Sequence, residues 1–434
     1  MITIKSNRVR WSLSALLSVL ILFGTYASVF SLIAFFLFVL LIVFCDKETI
    51  LRQMFFVLPM ATIFKMSPSS QSFFTIVLLL YVVLNFVLPR KATLLIILFT
   101  VYIVIGQLIT GGFILFRTIK LIFNILFISS ILNQKVQLDH KQIFYSYIFG
   151  NLVASCMGMM DSTFFSISKY TGVKDVGGIE FVDLTRFKGL YGDPNYYTIG
   201  MIISLCLIIV MYHRKEIKPV FAVLLSVPIA YFLMLTYSKS AIIMMFIPIA
   251  FMLYSFFKTR KYSSVVLFLL IVIVVVVFAL SGKIEPLNVV IARFEASSTQ
   301  EGVDINSLTT GRYDLWLSYI KHLITDSKNM IFGEGISAAL VGGRASHNTY
   351  LDMLYFLGAI GTSLLMMSFL VILGQGKYVD FHRNFINYCV LFSILILYFF
   401  LSELFYFDPP FHIFLAFVVL NLPMDNIDRK NELI

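Results

Sequence analysis

Four polar stretches in this chain carry side chains that could hold an anion or move a proton. "RFKGLYGDPNYYTIG" (186–200) places Arg186 and Lys188 just ahead of Asp193 and Asn195, and "TYSKSAIIMM" (236–245) sets Lys239 between two serines. "LTTGRYDLWLSYIKHLI" (308–324) contributes Arg312, and "GGRASHNTYLDML" (342–354) contributes Arg344, His347 and Asn348. Arg186 and Lys188 bring positive charge to the start of a helix, already an anion-binding position, and so suit a phosphate. With Ser346 as the cap of the following helix, His347 falls in its first turn, where the dipole and partial burial favour the neutral imidazole, a competent general base.

Each stretch also has a plainer reading. Asp193 as N-cap and Pro194 as first helical residue would simply start a helix. Lys239 could snorkel to a membrane interface, although its place in so tight a turn beside Ser238 and Ser240 favours a fixed position. Leu315, Trp316, Tyr319, Ile320 and Ile324 keep helical spacing, with Thr309 or Thr310 as cap, and predict an amphipathic helix on a membrane surface. Arg312 sits in the first turn of that helix, where the dipole disfavours a cation, so helix stability does not account for it; a surface pair with Asp314 or a lipid headgroup would. His347 could equally be an interfacial histidine bonded to a loop carbonyl.

The elements that must position these residues are set by hydropathy. Of 434 residues, 59% are hydrophobic and 13% charged, with 45 Phe and a mean hydropathy of +0.93, well outside the range of soluble domains. Apolar runs recur from Trp11 nearly to the C-terminus, which predicts one integral membrane domain spanning 1–434. The basic N-terminus leads into an apolar run with no convincing cleavage site, so the first span is expected to stay attached. The net charge of +10 comes from short clusters between apolar runs, a topology signal and no nucleic-acid surface. The four cysteines have no metal-site or disulfide spacing.

Spans are expected near 11–27, 29–44, 53–65, 72–88, 92–109, 114–132 and 142–160, then 194–212, 219–237, 240–257, 263–280, 347–373, 385–405 and 410–424. The third and the last are the weakest, giving about twelve to fourteen transmembrane helices in an all-α polytopic bundle. With Lys5, Arg8 and Arg10 inside, the clear basic clusters in short loops, among them "CDKETILR", "HRKEIK" and "KTRK", fall on one side, with both termini cytoplasmic. The longer segments 161–193 and 281–346 then face outward, together with His322, His347 and His412, while His140, His213 and His382 face the cytoplasm. Arg117, Lys120 and Glu403 are charges inside predicted spans, where they should face a bundle interior or a cavity. There is no Walker-type phosphate loop, no HExxH, and no outward pair of nearby carboxylates to hold a divalent metal.

In order along the chain, "RFKGLYGDPNYY", "SKSA", "TGRYDLW" and "GEGISAALVGGRASHNTYLDMLYFLGAIG" resemble the motifs of the O-antigen polymerase and O-antigen ligase superfamily of bacterial membrane proteins. The resemblance covers about half the chain, from Arg186 to Gly361, plus the hydropathy profile. It implies a GT-C-like glycosyltransferase that needs no cofactor and no metal, with undecaprenyl-pyrophosphate-linked glycans as donor and acceptor in the plasma membrane. It places a family arginine on Lys239, a departure that keeps the charge and loses the planar fork. It places the loop arginine on Arg312, the H-N pair on His347 and Asn348, and a basic residue on Arg186. Under it, Arg186, Lys188, Lys239 and Arg344 would bind pyrophosphate, Arg312 and His347 would be catalytic, and Asp193, Asn195 and Asn348 would support them.

Polymerisation of lipid-linked repeat units into O-antigen or capsular-type polysaccharide on the outer face is the leading expectation. Membrane lipids, a chain-length regulator and a flippase are the expected partners, and nucleic acid is not. The alternatives are an O-antigen ligase, which passes finished glycan to lipid A core or protein, and a flippase for lipid-linked oligosaccharides. The transporter fits less well, because its charges should line a path open to both sides.

Overall fold

Helices dominate because the apolar runs are rich in Leu, Ile, Phe and Met, and a helix satisfies its own backbone within one segment. The computed structural model describes residues 7–24, 27–64, 72, 74–85, 90–110, 118, 121–123, 125–126, 139–159, 170–173, 184–191, 194–258, 298–299, 302–303, 309, 311–336, 338–374 and 385–401. The helices used below are α1 (Asn7–Gly24), α2 (Ser28–Phe44), α3 (Lys47–Val57), α4 (Phe74–Leu84), α5 (Arg90–Thr110) and α6 (His140–Met159), then α7 (Pro194–His213), α8 (Pro219–Leu235) and α9 (Lys239–Lys258). They continue with α10 (Arg312–Thr325), α11 (Ser327–Phe332), α12 (Thr349–Gly374) and α13 (Tyr388–Leu397). Among the described residues, α7 and the stretch Thr349–Ile372 of α12 are long and apolar enough to cross a membrane.

Most predicted spans in the described residues coincide with a helix. Two do not. The segment 53–65 is the end of α3 followed by a 3-10 turn, Leu58–Ile63, because Pro59 cannot continue the α-helical hydrogen bonding. The segment 385–405 is α-helical only over α13, flanked by a 3-10 turn at Phe385–Asn387 and turns at 398–400. Spans expected at 263–280 and 410–424, and most of 114–132, lie outside the described residues, as do Arg117, Lys120, Asp193, Glu403, His382 and His412. The described residues are mostly helical, as expected, with two short hairpin pairings beside the helices. Tyr170–Val173 (β1) pairs antiparallel with Leu184–Phe187 (β2), and Ser298–Thr299 (β3) with Gly302–Val303 (β4). Extended chain needs donors and acceptors outside itself, and pairing two strands supplies them.

Helix α7 is buried on nearly every side and forms the centre of the bundle. Asn195 meets Ser238 and Ser240 at the N-terminal ends of α7 and α9, and the His213 Nδ1 lies 2.7 Å from Ser255 Oγ near their C-terminal ends, so these two helices run parallel. Helix α6 runs the other way, with Ser155 Oγ 2.6 Å from Tyr197 Oη and His140 Nε2 2.8 Å from Glu216 Oε1. Helix α13 packs against α7 and α9 through Cys206–Ser393 and the Phe251–Phe392 ring pair. Apolar side chains also cover the outside: Val29, Ile33, Phe36 and Leu40 form an exposed stripe on α2, and Val220, Leu224, Val227 and Tyr231 do so on α8.

Helix α12 is broken at Gly358, whose φ of 63° and ψ of −178° are not helical. The carbonyls of Tyr355 and Phe356 at the break accept from the amides of Glu334 (2.8 Å) and Gly335 (3.1 Å), and the Leu357 carbonyl accepts from Tyr102 Oη at 2.7 Å. This insertion requires backbone against backbone. A Cβ on Gly333 would sit 2.5 Å from the Gly358 amide nitrogen, and one on Gly358 would collide with the Gly333 amide and the Ile331 carbonyl.

Two expectations follow. Gly358→Ala should destabilise the protein by at least ~2 kcal/mol, read as a fall in Tm in detergent, because it adds positive-φ strain to a steric clash. Gly106→Ala, with open space around it in α5, should leave Tm unchanged or slightly raised. The second concerns Glu216. Burial raises its pKa, but hydrogen bonds and charge from His140 and Arg214 outweigh burial and hold it below the ordinary value of 4.5. A depressed carboxylate stabilises the fold above its unfolded pKa and loses that contribution as pH falls through the folded value. Wild-type Tm should therefore drop as pH falls below 4.5, and Glu216→Gln should flatten that drop.

Candidate functional site

The first and second polar stretches meet at one place. Strand β2 ends at Phe187, which is fully buried, with its ring 5.3 Å from that of Tyr197 on α7 and 5.6 Å from that of Phe232 on α8. That packing delivers the neighbouring Arg186 to the end of α8, where Nε donates to the Thr236 carbonyl at 2.8 Å and Nη2 lies 3.5 Å from Asn195 Oδ1. Asn195 Oδ1 also accepts from Ser238 Oγ at 2.8 Å, with Ser240 Oγ at 3.4 Å. Ser238 caps α9, accepting weakly from the Ala241 amide at 3.4 Å, and Lys239 is the first helical residue, half-buried. Lys239 is therefore fixed in place at its backbone by a capped helix start and a serine–asparagine network. Lys188 follows in the adjoining turn, partly exposed, its carbonyl accepting from the Tyr191 amide.

The third and fourth stretches form a second group. Helix α10 begins at Arg312, and the Tyr313 amide donates to Thr309 Oγ1 at 3.1 Å, so Thr309 does serve the helix start. Its apolar residues divide between two faces, a departure from the single face expected. Tyr319 and Leu323 are buried against α12 and the 341–343 turn, while Tyr313, Leu317, Ile320 and Ile324 form an exposed stripe. The buried face carries two polar tips. Trp316 Nε1 donates to the Ser346 carbonyl at 2.9 Å and Tyr319 Oη to the Arg344 carbonyl at 2.8 Å. Burial, and after it the nearby Asp352 carboxylate, raise the Tyr319 hydroxyl well above its ordinary pKa of 10.0, so it remains a donor at neutral pH.

His347 is not in the first turn of α12. Asn348 is the cap: its Oδ1 accepts from the amides of Tyr350 (3.0 Å) and Leu351 (3.2 Å), and the helix starts at Thr349. An Asx side chain two residues ahead of the amides it serves caps better than the Ser346 that the sequence suggested. Ser346 turns inward instead. Its Oγ lies 2.6 Å from Asp352 Oδ1 and 2.9 Å from the Asn348 carbonyl, and it accepts from the Asn348 amide at 3.0 Å. His347, held between Ser346 and Asn348, takes a left-handed backbone with φ of 52°. That conformation is uncommon for a residue with a Cβ and marks a position held by its surroundings.

The same helix start is tied to the end of α13. The Thr349 amide donates to the Tyr398 carbonyl at 2.7 Å, its hydroxyl to the Leu401 carbonyl, and Tyr350 Oη to the Leu395 carbonyl at 2.7 Å. Arg312 Nη1 donates to the Phe400 carbonyl at 3.0 Å. Arg312 and the His347 segment thus share one turn, 398–401. This corrects the electrostatic argument drawn from sequence: Arg312 opposes the dipole of α10 but sits at the carbonyl end of α13, where a cation is favoured.

Of the predicted site residues, Arg186, Asn195 and Lys239 gather in the first group and Arg312, His347 and Asn348 in the second, with α13 packed against the helices of the first. Arg344 contributes its carbonyl while its side chain is exposed, and Asp193 lies outside the described residues. Asp352, fully buried, was not singled out from sequence, where it looks like an ordinary acidic residue in a first helical turn. His322 Nε2 lies 2.7 Å from Glu334 Oε1. No protein-family model matches this chain, and no curated protein sequence matches it significantly.

The cap assignment makes a direct forecast. Asn348→Ala should cost about 1 kcal/mol of stability while Asn348→Asp, which retains the acceptor, should stay close to wild type in Tm. Equal losses in both variants would return the cap to Ser346.

Proposed function

We propose that this protein is a multi-pass glycosyltransferase of the bacterial plasma membrane that polymerises undecaprenyl-pyrophosphate-linked repeat units on the outer face. The observation that carries the reading is that four motifs far apart in sequence pair into two cation-bearing groups on packed helices, one around Asn195 and one around the 398–401 turn. The exposed apolar stripes of α2 and α8, together with the parallel α7 and α9 joined by an intervening helix, support a bundle of lipid-facing spans. The exposed stripe on α10 suits a helix resting in the headgroup region.

The chemistry is a direct displacement. A sugar hydroxyl of the acceptor attacks the anomeric carbon of the donor glycan; the new glycosidic C–O bond forms as the bond from that carbon to the pyrophosphate oxygen breaks. The leaving undecaprenyl pyrophosphate carries away the electron pair, and the hydroxyl proton passes to His347. Arg186, Lys239 and Arg312 supply positive charge where charge develops on the leaving group. Lys188 and Arg344 would add charge at the rim, and Asn195 and Asn348 hold the two groups in shape. Inversion at the anomeric carbon follows from a single displacement.

The test uses purified full-length protein in detergent or proteoliposomes with its lipid-linked repeat unit as sole substrate. A polymerase produces a ladder of products; a ligase yields product only when a second acceptor is added, and a flippase moves the lipid without forming any glycosidic bond. His347→Ala and Arg312→Ala should each lower the initial rate by ~100-fold or more while the protein remains folded in the membrane. Wild-type chain length from both variants would sink the site assignment.

A further inference from the structure

The structure carries one inference beyond these roles, and it rests on His347 acting at the site proposed above. We infer that Asp352, acting through the Ser346 hydroxyl, is the positioning residue that holds His347 in its left-handed conformation. Asp352 is fully buried one turn into α12, so it cannot serve as a solvated helix-start charge. Its Oδ1 takes the Ser346 hydroxyl at 2.6 Å, a short contact of the kind a carboxyl acceptor makes. Ser346, itself fully buried, in turn accepts the Asn348 amide at 3.0 Å. Through the Ser346 hydroxyl, one carboxyl group is therefore linked to the side chain before His347 and to the peptide amide after it. From the other side Trp316 Nε1 holds the Ser346 carbonyl, so the residue before His347 is gripped at both its hydroxyl and its carbonyl.

The geometry explains a sequence oddity. A left-handed backbone is disfavoured for a residue with a Cβ, and it persists only where neighbouring bonds over-determine it. Asn or Gly would adopt this conformation more readily, yet the chain places an imidazole there and builds a buried carboxyl to keep it. Asp352 need touch neither substrate nor His347 to do this. It sets the direction in which the imidazole leaves the backbone.

Three variants test the inference: Ser346→Ala, Asp352→Ala and Asp352→Asn, the last retaining an oxygen acceptor for Ser346. Two readouts are taken on folded full-length protein. One is the modification rate of His347 by diethyl pyrocarbonate, followed by peptide mass spectrometry and independent of any catalytic activity. The other is the polymerisation assay, resolved into kcat and KM. Ser346→Ala and Asp352→Ala should shift the modification rate several-fold and lower kcat by ~10- to 100-fold with KM for the lipid-linked unit little changed, while Asp352→Asn stays within a few-fold of wild type. If Asp352→Ala fails to fold, Ser346→Ala alone decides. The inference is overturned if Ser346→Ala leaves His347 modification at the wild-type rate, or if Asp352→Asn falls as far as Asp352→Ala, which would assign the role to charge and not to the hydrogen bond. Should wild-type protein form no polymer, the functional reading fails, and the modification rates still decide whether Asp352 holds His347.

Discussion

A helix leaves its last carbonyls without partners, and inside an apolar bundle there is little water to satisfy them. In this protein the donors come from distant parts of the chain. The Thr236 carbonyl, at the end of α8, is met by Arg186; the Tyr398, Phe400 and Leu401 carbonyls, beyond α13, are met by Thr349 and Arg312. The carbonyls at the break in α12 are met by the 334–335 backbone and by Tyr102. An unpaired buried acceptor costs about 1–3 kcal/mol, so each of these contacts weighs heavily on which segments pack together. The candidate site is assembled where such ends occur.

This gives the two arginines a double character. At a carbonyl end the helix dipole stabilises a guanidinium, and its planar fork presents several donors at once, so one face of the group can bind backbone while another meets a ligand. Lysine would hold such an end less well, since its ammonium is a single compact charge. Lys239 stands at the opposite kind of helix end, an N-terminus capped by Ser238, where the amides themselves favour an anion. The two kinds of helix end thus ask different things of a cation, and the residue types follow that division.

Much of this was legible in the sequence. Hydropathy located most of the described helices to within a few residues, Pro194 marks the start of α7, and the four polar stretches contain nearly all the residues that gather. What escaped has a common cause: carbonyl acceptors exist at every residue and leave no trace in residue type. Arg312 looked misplaced because only its own helix was in view, and its partner lies 88 residues away. Ser346 and Asn348 are both good caps, and the choice between them depends on the buried Asp352, whose position in a first turn looks like surface charge. Pro59 was visible but was outweighed by a continuous apolar run. The glycine break in α12 sits inside a sequence that reads as uninterrupted helix, since nothing local announces that Gly333 must lie against Gly358.

That break divides α12 into two short rods with separate duties. The first, capped by Asn348, carries Asp352 and the link to α13; the second, beyond Gly358, lies against Tyr102 of α5 at Gly361. In an unbroken helix, adding or removing a residue would turn everything beyond it by about 100° and misalign both ends. Here the Gly333–Gly358 junction absorbs no such rotation toward the histidine, because the first rod is clamped by its own bonds. The histidine end is thus held by the bonds of Thr349, Tyr350 and Asp352 in the first rod, and not by the continuity of the helix through Gly358.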